Sequence, residues 1–381
     1  KPTMKNARRI WLSIHLYLGL SIGAVLVLLG LTGSILVFYL DIDQILNPQM
    51  EPTSVPYKMP AQQDILDALQ QAHPTRQNSW RIEQPMHTDR PIMARYYTPI
   101  ESVGKNFAPL MLTVDPVTLE VTSSRLWGDY AMTWIYDLHY SLLLEKPGKI
   151  IIGIIGLISL ISFISGIWLW WPGWAGLKHA LKPQLRSGKA RLNYDLHVLS
   201  GSYGLVFLLI LSLTGAALAL PDETAILVKP FSPLTIAPKI ALDHGESDDR
   251  ITADQAVEIA KNRFPDAELR WIETPGLNNQ KAWRIALYQE GEPSRRFPRT
   301  QVWIDPINGE ILGIRDTKQD TGGDVFMHWL HPLHNGEVFG MTGRILVFIA
   351  GLLPLILFVT GLIRWSQKRR ARRLLNSRHK A

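Results

Sequence analysis

Four histidines recur at corresponding places in the chain and carry its most specific chemical signal. His15 stands 18 residues before Gly33 and His197 stands 18 before Gly215, while His139 and His334 each precede a basic residue, Lys149 and Arg344, by 10. All four lie at the edges of long apolar runs, where an ionisable side chain is costly unless it is partnered or functional. Imidazole is the commonest protein ligand for metals, and two imidazoles on opposite sides of a haem iron leave no open coordination site, which suits electron transfer. The sequence has no cysteine, so thiolate metal sites, iron–sulfur clusters, disulfides and covalent haem attachment through C-x-x-C-H are excluded. Any metal chemistry rests on His, carboxylate or Met.

The elements that must position these residues follow from hydropathy. Four runs, Val25 to Leu40, Ile150 to Trp171, Val198 to Leu220 and Ile345 to Ile363, contain no Asp, Glu, Lys or Arg. With their flanks, each reaches the roughly 20 residues a helix needs to cross hydrocarbon about 30 Å thick. Basic residues cluster before the first run (Lys5, Arg8, Arg9), between the second and third (Lys178, Lys182, Lys189, Arg191) and after the fourth (Arg364, Lys368, Arg369, Arg370, Arg372, Arg373). The net charge of +7 therefore belongs to segments flanking a lipid bilayer and not to a nucleic-acid surface. The same bias puts both termini in the cytoplasm and the two long polar stretches outside. The first run reads as a retained span, being too long for a signal-peptide core and lacking a small-x-small cleavage site. The expected order is a cytoplasmic N-terminus 1–9, span 10–41, outer module 42–147, span 148–171, cytoplasmic loop 172–194, span 195–220, outer module 221–342, span 343–365 and a basic tail 366–381.

The chain also repeats itself. "RRIWLSIHLYLGL…GLTGSILVFYL" matches "RLNYDLHVLSGSY…SLTGAALALPD", and "GDYAMTWIYDLHYSLLLEKPGKIIIG" lies over "GDVFMHWLHPLHNGEVFGMTGRILVF" at a constant offset of 195. "LTVDPVTLEV" and "VWIDPINGEI" place Asp115-Pro116 and Asp305-Pro306 alike. Within the modules, 61–72 and 252–264 have helical spacing, with Thr252 as N-cap. The stretches 81–83, 94–97, 111–114, 283–288 and 301–304 alternate as strands do. The expected fold class is a polytopic α-helical membrane protein with four transmembrane helices and two α+β modules, built by tandem duplication with a pseudo-two-fold axis along the membrane normal.

Depth sorts the histidines into pairs. His15 and His197 each lie six residues beyond an arginine on the cytoplasmic side, whereas His139 and His334 sit at the outer entrance of their spans. Eighteen helical residues rise about 27 Å, so His15 cannot share an iron with His139 and is expected to share one with His197. Competing readings are a purely structural set of histidines and two dinuclear metal sites, the latter disfavoured because no carboxylate lies within the spans. His328, His331 and His334 are three apart on one helical face, as a surface metal site or a choice of haem ligands. His334, which alone has a histidine counterpart in the other half, ranks first and His331 second. The pairs Thr32-Gly33, Ser165-Gly166, Thr214-Gly215 and Thr360-Gly361 occur once per span, either for close helix packing or because Gly33 and Gly215, then Gly166 and Gly361, wall two flat macrocycles. Lys149 and Arg344 are either snorkelling anchors or partners of haem propionates. Trp168, Trp170, Trp171 and Trp174 read as an interfacial belt. His73, His87, His179, His244 and His379 read as solvated.

A helix followed by strands ending in "V-W-I-D-P-I-N-G-E-I-L" resembles the PepSY domain, and such modules between spans bearing "LTG" and "LHPLHNGEVFG" resemble the PepSY-associated transmembrane family over nearly the whole chain. The resemblance, to its ferrisiderophore-reductase type in particular, implies periplasmic modules, two non-covalent haem b groups, a bacterial inner-membrane location and electron delivery to a ferric siderophore. No dinucleotide fingerprint or phosphate loop is present, so the electron donor is expected to be a quinol or a separate cytoplasmic reductase. The alternatives are a non-catalytic PepSY protein that regulates a protease or binds peptide, and a haem or metal transporter. Basic and aromatic residues of the modules, among them Arg81, Arg95, Trp271, Arg284, Arg295, Arg296 and Trp303, are candidates to meet an anionic or aromatic chelate.

Overall fold

The computed structural model describes residues 4–105, 107–184, 188–238, 240, 250–277 and 281–378; His244 and His379 lie outside them. Its helices are α1 (Met4–Ser21), α2 (Gly23–Val37), α3 (Tyr39–Leu46), α4 (Gln62–Ala72), α5 (Ala131–Ser141), α6 (Glu145–Trp170), α7 (Trp174–Ala180), α8 (Lys189–Ala219), α9 (Pro221–Val228), α10 (Ala253–Arg263), α11 (Gly322–Asn335) and α12 (Gly340–Arg378). Its strands are β1 (Trp80–Glu83), β2 (Ile92–Tyr96), β3 (Leu110–Val114), β4 (Val121–Leu126), β5 (Glu268–Glu273), β6 (Trp283–Tyr288), β7 (Thr300–Ile304) and β8 (Ile311–Arg315). They divide into a helical unit (Lys1–Phe38, Ile135–Thr224, Leu330–Ala381) and a sheet unit (Tyr39–Trp134, Ala225–Trp329).

In the helical unit three segments, Glu145–Trp170, Lys189–Ala219 and Glu337–Arg373, are long and apolar enough to cross a membrane, and Asn6–Ser21 with Gly23–Val37 makes a fourth if the bent pair is one span. Sequence predicts one first span over 10–41; the structure bends it by 53°. The Ser21 hydroxyl donates to Tyr17 O at 2.7 Å and Gly23 follows, the combination of back-bonded Ser and Gly that kinks helices. Ile150, Ile154, Leu157, Ile161 and Ile164 stand exposed along one stripe of α6, a lipid-facing surface and not a water-facing one. Small residues admit close crossings elsewhere. A Cβ on Gly30 would meet Gly351 O at 2.3 Å, one on Gly156 would meet Ala216 Cβ at 3.0 Å, and the Ser34 hydroxyl donates to Phe348 O at 2.8 Å. Trp168, Trp171 and Trp174 are exposed, as a belt at an interface requires.

The sheet unit departs from expectation in one respect. The sequence predicts two modules with separate cores, but the strands form one antiparallel eight-stranded sheet in the order β4-β3-β2-β1-β5-β6-β7-β8. Its centre is the pairing of β1 with β5, Ile82 opposite Ile272. Each half alone would leave a central strand edge unpaired and exposed; joining them removes both edges and merges the cores. Ile82, Ala94, Leu112, Ile272, Ile285 and Val302 then pack with Ile65 and Leu69 of α4 and Ala256 and Ala260 of α10 in one cluster. The two helices also cap each other. Thr252 makes the expected N-cap, boxed by Gln255, which frees Asp254 to accept from Gln62 N at 2.9 Å and Gln63 N at 3.0 Å at the start of α4. Gln63 Oε1 returns the favour to Ala253 N at 2.9 Å. The two Asp-Pro turns match: Asp115 accepts from Val117 N and Asp305 from Ile307 N. Where the second turn uses Gly309 at φ 75°, the first holds Leu119 at φ 61°, a left-handed residue retained because its side chain packs on the core.

Candidate functional site

Three of the four unit boundaries fall inside the expected modules, so that His139 and His334 belong to the helical unit with His15 and His197. His15 and His197 face each other with ring centres 6.4 Å apart. His139 and His334 do the same at 6.2 Å. The pairs lie at different depths, for α8 runs unbroken past both: it carries His197 near one end and, 18 residues on, Gly215 against His334, a rise of about 27 Å.

One cassette holds each of these four histidines. Nδ1 of His139 is 3.0 Å from Thr32 Oγ1, Nδ1 of His334 is 2.9 Å from Thr214 Oγ1, Nδ1 of His15 is 3.2 Å from Ser165 Oγ and Nδ1 of His197 is 2.9 Å from Thr360 Oγ1. The hydroxyls of Thr32 and Thr214 donate their own hydrogen to Leu28 O and Ile210 O, both at 2.7 Å, so their oxygens accept from Nδ1–H. For His15 and His197 the carbonyls of Ser162 and Leu357, at 3.0 and 3.1 Å, accept and cannot donate, and they require the same proton on Nδ1. The lone pair is thereby fixed on Nε2, which has no hydrogen-bond partner among the described residues. Fixing the tautomer through the far nitrogen is how proteins orient ligating histidines.

The glycine of each pair makes room for the imidazole. A Cβ on Gly33, Gly166, Gly215 or Gly361 would lie 2.9, 2.9, 3.0 or 3.4 Å from Cε1 of His139, His15, His334 or His197. Sequence reasoning leaves these glycines between close helix packing and the wall of a flat macrocycle; the atoms they clear in the structure are those of the histidine ring. It also missed the Ser/Thr hydroxyls as orienting groups, although Thr32, Ser165, Thr214 and Thr360 stand in the very pairs it singled out.

The other candidates sort themselves by their partners. His331 Nδ1 lies 3.4 Å from the Asn335 amide, whereas His334 is the one whose ring faces His139. The guanidinium of Arg344 donates to Val37 O at 2.7 Å and stacks 4.7 Å from the Phe38 ring; Lys149 Nζ lies 4.1 Å from the Tyr140 ring. Both cations thus rest on an aromatic ring of their own unit. His73 is half-buried, with Nε2 3.2 Å from Ser124 Oγ, and only His87 and His179 of the described group are exposed.

His328 is spent in the sheet unit. Arg315 donates to its Nε2 at 3.0 Å, so Nδ1–H donates to Asp320 Oδ2, also at 3.0 Å. Burial, with Arg299 and Arg315 nearby, pushes its pKa down to about 3, and burial pushes the Asp320 carboxyl up to about 6 from an ordinary 3.8. A carboxyl whose folded pKa is raised contributes stability while protonated and loses it as pH climbs from about 4 through about 6. Asp320→Asn keeps the acceptor and removes the titration, so the variant gains on the parent by about 2 kcal/mol between pH 4 and 7, read as a difference in melting temperature that grows with pH.

Among the described residues no group of three or more His, Cys, Asp and Glu side chains could hold a metal ion. Two facing imidazoles without carboxylates match an iron whose remaining ligands come from a macrocycle. Two metal–nitrogen bonds of about 2.0 Å, with roughly 1.1 Å from each ring centre to its Nε2, would place ring centres about 6.2 Å apart, and the observed 6.4 and 6.2 Å fit. The family model of the PepSY-associated TM region matches residues 12–368. The chain belongs to the PepSY-associated transmembrane family. No curated protein matches it. The match takes in all four histidines and all four Ser/Thr-Gly pairs of this PepSY-associated protein.

Proposed function

We propose that this family member is a di-haem inner-membrane oxidoreductase that passes electrons across the bilayer to a ferric siderophore in the periplasm, releasing Fe(II) for uptake. The observation that supports it is the pair of matched His–His sets, each at the ring spacing two axial ligands need. In this reading His15 and His197 hold one non-covalent haem b and His139 and His334 the other. Haem held by two imidazoles supplies reversible one-electron transfer without an open site. The protein's part is to present Nε2 lone pairs through Ser162, Ser165, Leu357 and Thr360 on one side and Thr32 and Thr214 on the other, and to clear the rings with glycine. Reduction loosens a chelate of hard oxygen donors, because Fe(II) binds them less strongly than Fe(III) does. The basic flanks Arg8, Arg9, Arg191 and Arg364 support a cytoplasmic location for the His15/His197 end and a periplasmic one for the sheet unit. The tandem relation of the two halves is supported by the symmetric strand order about β1/β5 and by the four equivalent cassettes.

An absorption spectrum of protein purified from haem-replete cells tests the reading. The expected result is a sharp pair of dithionite-sensitive bands at haem b positions and a ratio of two haems per chain. A colourless protein overturns the proposal, and a ratio of one removes one of the two pairs.

A further inference from the structure

We infer that the face of the sheet opposite α4 and α10 binds an anionic, carboxylate-bearing ferric chelate, through Arg81, Arg95, Arg284 and Trp271. The inference names the substrate class for the function proposed above and rests on it. Strand register carries it. Met111 pairs with Arg95, Arg95 with Arg81, Arg81 with Glu273, Glu273 with Arg284 and Arg284 with Trp303, so one straight row across five junctions sets two arginines directly opposite each other at the centre of the sheet. Like charges opposed in neighbouring strands destabilise a sheet, and apolar side chains would stabilise a buried face at least as well as ion pairs do. The row is therefore not explained by folding.

Its ion pairs are shared. Glu83 Oε1 takes Arg95 Nη2 at 2.7 Å and Arg81 Nε at 3.1 Å, and Glu273 takes Arg284. Arg81 Nη1 also lies 3.9 Å from Glu273 Oε1, so Arg95, Arg81 and Arg284 share the two carboxylates. Arg296, on the connection between β6 and β7, adds a further positive charge felt at Glu83, and the neighbouring Phe297 ring lies 5.7 Å from the Arg81 guanidinium.

Donors of Arg81 and of Trp271 are left over. Arg81, 8% exposed, stacks 4.1 Å from the Trp271 ring, itself 4% exposed, and neither Arg81 Nη2 nor Trp271 Nε1 has a hydrogen-bond partner among the described residues. Unmade hydrogen bonds on buried donors cost free energy, which a carboxylate accepting from both would recover. Arg284, whose side chain is 29% exposed, is the accessible end of the row. A planar, rigid fork beside an indole N–H and a net positive field select a carboxylate anion and disfavour a cationic chelate.

The test uses the full chain in nanodiscs and isothermal titration with gallium(III) citrate, a redox-inert probe, beside the cationic trihydroxamate gallium(III) desferrioxamine B. Saturable citrate-complex binding is expected, weakened about tenfold or more by Arg81→Gln and by raised salt, with the trihydroxamate at least about tenfold weaker on the parent protein. Trp271→Phe, which deletes only the N–H, is expected to weaken binding several-fold at unchanged melting temperature and decides the matter if Arg81→Gln does not fold. No saturable citrate-complex binding, parental affinity in both variants, or equal affinity for the trihydroxamate overturns the inference. Haem content and chelate reduction are read on the same samples. A haem-free chain that binds the anion defeats the functional proposal alone, and a haem-loaded reductase that does not bind it defeats this inference alone.

Discussion

If the chain holds two haems as proposed, replacing His139 or His334 by alanine is expected to remove one haem, the same one in both variants, and replacing His15 or His197 to remove the other. The expectation comes from geometry in which each histidine has one facing partner, 6.2 Å away in one pair and 6.4 Å in the other, and from α8, which separates the pairs by about 27 Å of helical rise. With one of the two holding imidazoles lost, a non-covalent group would be held from a single side, so haem per chain is expected to fall from two to about one, with the spectrum of the surviving pair unchanged. The measurement is haem stoichiometry and the reduced-minus-oxidised spectrum of each variant. Loss of the same haem in His15→Ala and His139→Ala would show the pairing to be wrong. Thr214→Val separates orientation from ligation: it leaves His334 in place but removes the hydroxyl that accepts from Nδ1 at 2.9 Å, and it is expected to shift the midpoint potential of that haem while haem is retained.

Much of this arrangement is legible in the sequence because duplication writes it twice. An isolated His334 between His331 and Asn335 says little; its match to His139 ranks it above His331, and the ring that faces His139 is indeed that of His334. The Ser/Thr-Gly pairs are equally visible, yet their use is not. Whether a hydroxyl turns to its own helix or to a neighbouring imidazole depends on helix-to-helix register, and Thr32 does both. Strands with strong alternation, such as β6, were legible to the residue. β4, with the sequence VTSSRL, and β5, with charged residues at both ends, were not, because their stability comes from neighbours and not from composition. The single sheet is invisible for the same reason: nothing local to Arg81 or Glu273 says that β1 pairs with β5. That pairing also turns arginines that read as separate candidates on separate strands into a buried row.

The same separation in depth predicts what a chain with only its outer pair intact can do. His15 and His197 lie toward the ends of α1 and α8 that carry Arg8, Arg9 and Arg191, the side that basic residues mark as cytoplasmic. His139 and His334 lie about 27 Å further along the bundle by helical rise. If the chain conducts as proposed, electrons from a cytoplasmic donor would enter at the His15/His197 pair and leave at the His139/His334 pair, the single order this layout allows. In sealed vesicles with donor enclosed and ferric chelate outside, His197→Ala is expected to lose donor-driven reduction by roughly a hundredfold, toward background. The same variant, reduced chemically with dithionite and then offered ferric chelate, should be reoxidised within about twofold of the parental rate, because nothing at the outer pair has changed. The two assays on one sample separate a broken path from a damaged protein, since a variant that had lost its fold would fail both. Donor-driven turnover at the parental rate in His197→Ala would mean that electrons enter at the outer pair, and the cytoplasmic-side pair would then need a role other than conduction.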